Sequence, residues 1–476
     1  MTTPIKHLTL RSARLLLGFS FLAVALAGSS PAAASSLSTT TLVTPGLEGH
    51  GTNDYLNPSS TNGTSEDGRI SVFSSGATNL IPHDTNDTHD VFAYDRVTQK
   101  IELISHNAAG QSANSASYTP TISGDGRYVT YVTMATDIVP NTQAFCDRVI
   151  CPNVVVYDRI TKTTVFANQT AAGRRITTNL QTIGGDPPTI SANGQFVTYQ
   201  SPTSISTNDT NDNYDIFVYD LQTHTTRIAS IGNNGHTGLD ASYGGSISGD
   251  GRFVVFTSYS ALVPEDTNNA YDNYLHDMQT GITTLVSVSQ SGHPGNESSF
   301  NPAVSNDGHS VVFESYASNL VAGDTNHQID IFLRDLRTSQ TRRVSVTSKG
   351  KQANGGSYNP ALSSDGRFVI FSSWADNLVF GDTNQMYDIF LYDRDSALTR
   401  RITRASHNGL PASGGNLGSW QPSSISGDGR AVLFTSDATN LTSTTLTSSA
   451  PNLYINYNPV VTIPYYDPED FLELLP

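Results

Sequence analysis

At 476 residues the chain is long enough for one large domain or about three small ones, and only 14% of its side chains are charged. Ser, Thr, Asn and Gly are abundant instead, which suits strands and turns, because long exposed helices need more Ala, Glu and Lys. A formal net charge of -16 with no basic run argues against nucleic acid and against an anionic membrane surface as partners.

The first segment reads as a targeting signal. Lys6, Arg11 and Arg14 form a positive region, Leu15 to Ala27 is apolar but too short to span a bilayer, and Ala32 to Ala34 supply small residues for cleavage. Residues 1–34 are therefore expected to be a signal peptide, and no later run is apolar enough for a membrane span. An exported protein follows, periplasmic or extracellular.

The next stretch, "TTTLVTPGLEGHG" from Thr39, aligns with "ITTLVSVSQSGHPG" from Ile282, which lies deep inside a repeat. The repeat is marked by a Ser-x-Asp-Gly signature starting at Ser65, Ser123, Ser191, Ser248, Ser305, Ser363 and Ser426. Most copies are 57 or 58 residues apart, and the intervals leading to Ser191 and Ser426 are longer. A period of this size means an array of one supersecondary unit.

One unit reads in order from Ser305. "SNDG" is a turn, "HSVVFES" an alternating strand, "YASNLVAGDTNHQ" a polar loop and "DIFLRD" a second strand. "DLRTSQT" is a tight turn, "TRRVSVT" a third strand, and a Gly/Asn/Ser loop leads to the short strand "YNPALS". Four antiparallel strands per repeat is the pattern of a propeller blade. The last copy lacks a match to "TRRVSVT", and the orphan strand at Thr39 can supply it. The expected fold is all-β: a seven-bladed propeller over residues 35–458, closed by its N-terminal strand, with six or eight blades as alternatives.

Five repeats carry Asp-Thr-Asn, three free positions and Asp. The triplets are Asp84, Asn86 and Asp90; Asp209, Asn211 and Asp215; Asp266, Asn268 and Asp272; Asp324, Asn326 and Asp330; and Asp382, Asn384 and Asp388. Oxygen side chains at positions 1, 3 and 7 resemble the opening of a calcium loop. The Asp at position 12 is carried away by the intervening strand, so each site would hold two carboxylates and one amide, completed by carbonyls and water. The same oxygens can instead cap backbone N–H groups in Asx turns, and fastening of the rim ranks ahead of calcium.

A second set sits just before the inner strand of each blade: Leu56, Tyr118, Asp186, Tyr243, Phe300, Tyr358 and Trp420. Tyr118, Tyr243, Phe300, Tyr358 and Trp420 are candidates for stacking on a ligand, with packing between blades as the alternative. Trp420 is expected to be partly exposed, and Phe300 and Tyr358 buried. Cys146 and Cys151, in "AFCDRVICPN", fit a disulfide in an oxidising compartment, with two free thiols as the alternative. His106, His236, His293 and His407 are scattered, without metal-ligand spacing, and no Gly-x-Ser-x-Gly elbow occurs. Residues 459–476 are an acidic, aromatic tail.

"YNPALSSDGRFVIFSS" followed by "DIFLYD" resembles the WD40-like (PD40) repeats of TolB-type β-propellers, over nearly the whole chain after the leader. The resemblance implies a propeller that binds a periplasmic partner. The domain that precedes the propeller in TolB, and the hydrolase domain that similar propellers gate in oligopeptidases, have no counterpart in the repeats. The expectation is an exported, non-catalytic, monomeric propeller that binds a protein or glycan on its long-loop face. The alternative is a secreted lyase or hydrolase acting on carbohydrate in the central channel.

Overall fold

The computed structural model describes residues 39–44, 56–58, 63–82, 84, 86–139, 152–170, 172–173, 176, 186–204, 208–404, 419, 421–442 and 451–457. These residues form seven four-stranded antiparallel sheets, one for each repeat. The fifth is typical: Ser299–Val304 innermost, then Ser310–Ser315, Asp330–Asp335 and, outermost, Gln340–Arg343. The second and third strands are buried along nearly their whole length, which explains continuous apolar runs such as "DIFLRD". Each sheet is sandwiched between two others. One core cluster joins Val312, Ile331 and Leu333 of blade 5 to Val369, Phe371 and Phe390 of blade 6.

The ring closes through the N-terminal strand. In the seventh sheet Thr39–Leu42 lies outside Asn452–Tyr457, with Thr39 opposite Tyr457 and Leu42 opposite Tyr454. Val43 N donates to Leu453 O at 2.8 Å and packs in a cluster with Phe73 and Phe92 of blade 1 and Leu453 of blade 7. This pairing covers an edge that would otherwise present a row of open N–H and C=O groups. It settles the blade count at seven.

The Ser-x-Asp-Gly signature has a local cause. Ser65 Oγ donates to Asp67 Oδ1 at 2.7 Å and accepts from Ile70 N at 3.0 Å, while Arg69 N donates to Asp67 Oδ1 at 3.0 Å. The glycine takes a positive φ, +79° at Gly251, where a Cβ would stand 2.0 Å from Phe196 Cδ2 of the preceding blade. The Arg after the glycine then pairs with the Asp that ends the third strand, as in Arg127 Nη2 to Asp158 Oδ2 at 2.6 Å. These two kinds of turn therefore share one rim, and the long loops occupy the other. Among the described residues no helix is long and apolar enough to cross a membrane.

Candidate functional site

The two ends of the central channel differ. At the short-turn rim, backbone hydrogen bonds run from turn to turn: Glu66 N to Gly124 O, Gly124 N to Ala192 O, Asn193 N to Gly249 O, Gly249 N to Asn306 O and Asn306 N to Ser364 O, all 2.9–3.0 Å. Asp428 N reaches Glu66 O at 3.4 Å and brings blade 7 back to blade 1. Across this collar Asn306 Nδ2 of blade 5 donates to Glu66 Oε1 of blade 1 at 2.5 Å. Glycines make room for the bar: a Cβ on Gly124 would meet Glu66 Cδ at 2.9 Å, and one on Gly249 would meet Asn306 Cγ at 2.7 Å. Ile122, Ile190, Ile247, Val304 and Ile425 help line a cavity of about 40 Å³ there, room for little more than water. The channel narrows at this end.

The long-loop rim is open and aromatic over blades 4 to 6. Tyr271, just before the third strand of blade 4, contacts Tyr259 at 5.1 Å, Phe300 at 5.3 Å and Tyr243 at 6.4 Å between ring centroids. Tyr387 plays the same part in blade 6, meeting Trp374 at 4.9 Å and Tyr358 at 6.0 Å. Tyr316 of blade 5 stands beside Tyr358. Several of these rings are half in solvent: Tyr243 is 38% exposed, Tyr259 42%, Trp374 49% and Tyr316 52%. Edge-to-face contacts hold them at fixed angles.

Backbone irregularity aims the inner members. The inner strand slips register directly after Tyr118, Tyr243, Phe300 and Tyr358. The next residue has positive φ in each case: Thr119 50°, Gly244 66°, Asn301 49° and Asn359 52°. Bulges of this kind turn a side chain away from the regular pleat. Two carboxylates anchor them. Glu314 accepts from Asn301 Nδ2 at 2.9 Å and from Asn359 N of the next blade at 2.7 Å. Asp186 accepts from Gly244 N of the next blade at 2.7 Å. Burial raises the pKa of both.

Of the five aromatics expected from the sequence, Tyr118, Tyr243, Phe300 and Tyr358 lie at this rim, and Trp420 is outside the described residues. Phe300 and Tyr358 are half-buried rather than buried, because the bulge lifts each ring toward the rim where the strand ends. Sequence reading missed Tyr259, Tyr271, Tyr316, Trp374 and Tyr387. Tyr118 belongs to a separate pair, with His89 at 5.2 Å.

The Asp-Thr-Asn loops sit on the same rim, farther out. In all five the Asn Oδ1 accepts from the N–H two residues on, 2.9 Å at Asn213 and 3.1 Å at Thr88, Ala270, Gln328 and Met386. The Asn amide ties down the crossover to the next blade, as in Asn86 to Ala113 O, Asn211 to Gly238 O, Asn268 to Gly295 O and Asn326 to Ala353 O, 2.7–3.0 Å. The last Asp accepts from a hydroxyl two residues beyond the outer strand: Ser105 to Asp90 at 2.5 Å, Ser230 to Asp215 at 2.6 Å, and Thr403 to Asp388. Burial first, then the neighbouring carboxylate, pushes Asp215 up to about 7. Burial likewise takes Asp272 to about 7 and Asp90 to about 6.

Among the described residues no group of three or more His, Cys, Asp and Glu is placed to hold a metal ion. Cys146 and Cys151 lie outside the described residues, as do residues 1–34, expected to be a signal peptide, and residues 459–476.

No protein-family model matches the sequence, and no curated protein matches it. Solved structures do. An oligogalacturonate lyase from Vibrio parahaemolyticus is 16% identical, with 90% of this chain and 95% of that one covered and a TM-score of 0.53. An oligogalacturonate lyase in complex with manganese is 14% identical over 90% of this chain and 95% of that one, TM-score 0.51. A TolB from Acinetobacter baumannii is 15% identical over 65% of this chain and 58% of that one, TM-score 0.38. Identities this low establish the propeller fold and nothing about activity.

Proposed function

We propose that this chain is an exported, non-catalytic propeller that binds a neutral glycan on its long-loop face. The observation that carries the proposal is the arc of Tyr243, Tyr259, Tyr271, Phe300, Tyr358, Trp374 and Tyr387, part-exposed and held by ring-on-ring contacts, with the half-exposed Tyr316 beside Tyr358. Sugar rings stack on aromatic faces, and a fixed platform loses little side-chain entropy on binding. Glu314 and Asp186 put negative charge among the rings, which disfavours an acidic polysaccharide. Their oxygens are held by amide N–H groups, an arrangement that supports positioning of the rim rather than proton transfer.

A protein partner is the second reading. Leu239, 83% exposed, and Phe380, 57% exposed, stand on loops of the same rim and would widen the contact beyond a sugar chain. An array of neutral and acidic glycans separates the readings. Binding to neutral glycans that persists at high salt is expected. Binding to acidic glycans alone, lost at high salt, contradicts the proposal. No glycan binding, together with a purified partner protein that protects the strands ending at Tyr316 and Trp374 from hydrogen exchange, selects the protein reading.

A further inference from the structure

The five Asp-Thr-Asn loops fall into two classes that the triplets themselves do not reveal. In blades 5 and 6 a buried arginine from the outer strand stands between the two carboxylates. Arg343 Nη1 is 3.1 Å from Asp324 Oδ1 and 3.3 Å from Asp330 Oδ2. Arg401 Nη1 is 3.1 Å from Asp382 Oδ1 and 3.5 Å from Asp388 Oδ2. A second guanidinium nitrogen reaches the carbonyl of the residue before the triplet, Gly323 at 3.4 Å and Gly381 at 3.2 Å.

In blades 1, 3 and 4 the residue at the arginine's place is Leu103, Ile228 or Leu285, each set opposite the same third-strand position. The residue before the triplet is His83, Asn208 or Glu265 instead of glycine. The carboxylate pairs remain. In blade 3 Asp209 Oδ1 and Asp215 Oδ2 have no hydrogen-bond partner among the described residues, although Asp209 is 8% exposed and Asp215 0%. In blade 4 Asp272 Oδ2 is in the same condition, with Asp272 fully buried, while Asp266 accepts from the Tyr274 hydroxyl. In blade 1 it is Asp84 Oδ2. The Asn211 and Asn268 amides donate to Gly238 O and Gly295 O at 2.7 Å; they also lie near the Asp215 and Asp272 carboxylates but, being neutral, do not offset the charge of the pair. Blades 2 and 7 avoid the difficulty with a neutral amide, Asn153 or Asn452, at the first residue of the third strand.

We propose that blades 1, 3 and 4 each bind a divalent cation, of calcium type, between Asp84 and Asp90, Asp209 and Asp215, and Asp266 and Asp272, and that Arg343 and Arg401 occupy the equivalent place in blades 5 and 6. A buried carboxylate oxygen without a donor is costly, and two facing each other are more so. An all-oxygen set in a tight loop, with backbone carbonyls and water to complete it, suits calcium rather than a metal that selects sulfur or imidazole. In blades 5 and 6 the arginine supplies the positive charge from within the chain. This inference does not depend on what the aromatic arc binds.

The test uses the whole protein, freed of metal by a chelator and titrated with calcium chloride from about 10 µM to 10 mM, a span that includes extracellular-module affinities. Three equivalents per chain are expected by calorimetry, with a melting temperature that rises with calcium. Asp209→Asn with Asp215→Asn should remove one equivalent. If that variant does not fold, Ile228→Arg with Asn208→Gly copies the blade 5 arrangement into blade 3 and should also bind one fewer. No calcium uptake, uptake of five equivalents, or undiminished uptake by the folded blade 3 variant would overturn the proposal.

Discussion

Asn306 of the fifth blade donates its amide to the Glu66 carboxylate of the first blade, 2.5 Å away and 240 residues distant in sequence. The pair bars the short-turn end of the channel and leaves the aromatic rim as the open mouth. The bar depends on glycines. Gly249→Ala should drive Asn306 from its place, since the new Cβ would stand 2.7 Å from Asn306 Cγ. Gly251→Ala is the harsher change, combining positive φ with a clash against Phe196. It should cost roughly 2–5 kcal/mol from backbone strain and overpacking together, read by chemical denaturation. Gly110→Ala, also at positive φ but with open space around it, is the control for strain alone.

Removing residues 39–44 should expose the Asn452–Tyr457 edge and open the ring between blades 7 and 1. The truncated protein is expected to melt at lower temperature and to aggregate, as followed by calorimetry and light scattering. An unchanged melting temperature would mean that the strand is not the ring's clasp.

Arg401 lies buried against two carboxylates, of which Asp388 is fully buried. Arg401→Leu leaves both charges uncompensated and should destabilise by about 3–5 kcal/mol. The variant then resembles blades 1, 3 and 4, so calcium should recover part of the lost stability. Recovery by magnesium and calcium alike would point to simple charge screening instead.

Acid acts on the fold in opposite senses: protonation of the buried Asp90, Asp215 and Asp272, raised by burial, adds stability as pH falls from about 7 to 4, whereas His276 and the arginine-paired carboxylates lose theirs, and single variants separate the contributions. Burial lowers the His276 pKa to about 4, below the unfolded value of about 6.5. Between those values the unfolded chain binds the proton and the folded one does not, so the His276 contribution to stability falls as pH drops from about 6.5 to 4, by roughly 3 kcal/mol. His276→Gln should flatten this part of the profile. The hydrogen bond from Arg69 holds Asp95 down at about 2, and those from Arg127 and Arg252 hold Asp158 and Asp277 low. Their contribution is complete above about pH 4 and is lost as pH falls through the folded values. Arg127→Gln should lower the melting temperature at pH 7 and reduce its further fall below pH 4.

Blade count and closure were legible because Ser-x-Asp-Gly serves local backbone needs in every repeat, and because Thr39 to Leu42 copies an outer strand. The inner aromatics were legible as a repeated position. Their partners were not: Tyr259 and Tyr271, or Trp374 and Tyr387, lie at the ends of different strands, which only the folded blade brings to one rim. Glu66 and Asn306 occupy the free position of the signature, where identity varies from copy to copy. The arginine partition did leave a sequence signal. Gly323 and Gly381 precede only the triplets with Arg343 and Arg401 at the end of the outer strand. Its meaning needs the register that sets Arg343 opposite Phe332 and Leu103 opposite Phe92.

The most direct test of partner binding at the aromatic rim is a calorimetric titration of wild type and of the Tyr316→Ala, Trp374→Ala double variant with the best neutral oligosaccharide from the array. Both rings are about half exposed, so the variant should fold and melt within a few degrees of wild type. Its affinity should fall at least about tenfold, or 1.4 kcal/mol. Equal affinity in the two proteins would contradict the account and move recognition away from the rings of blades 4 to 6.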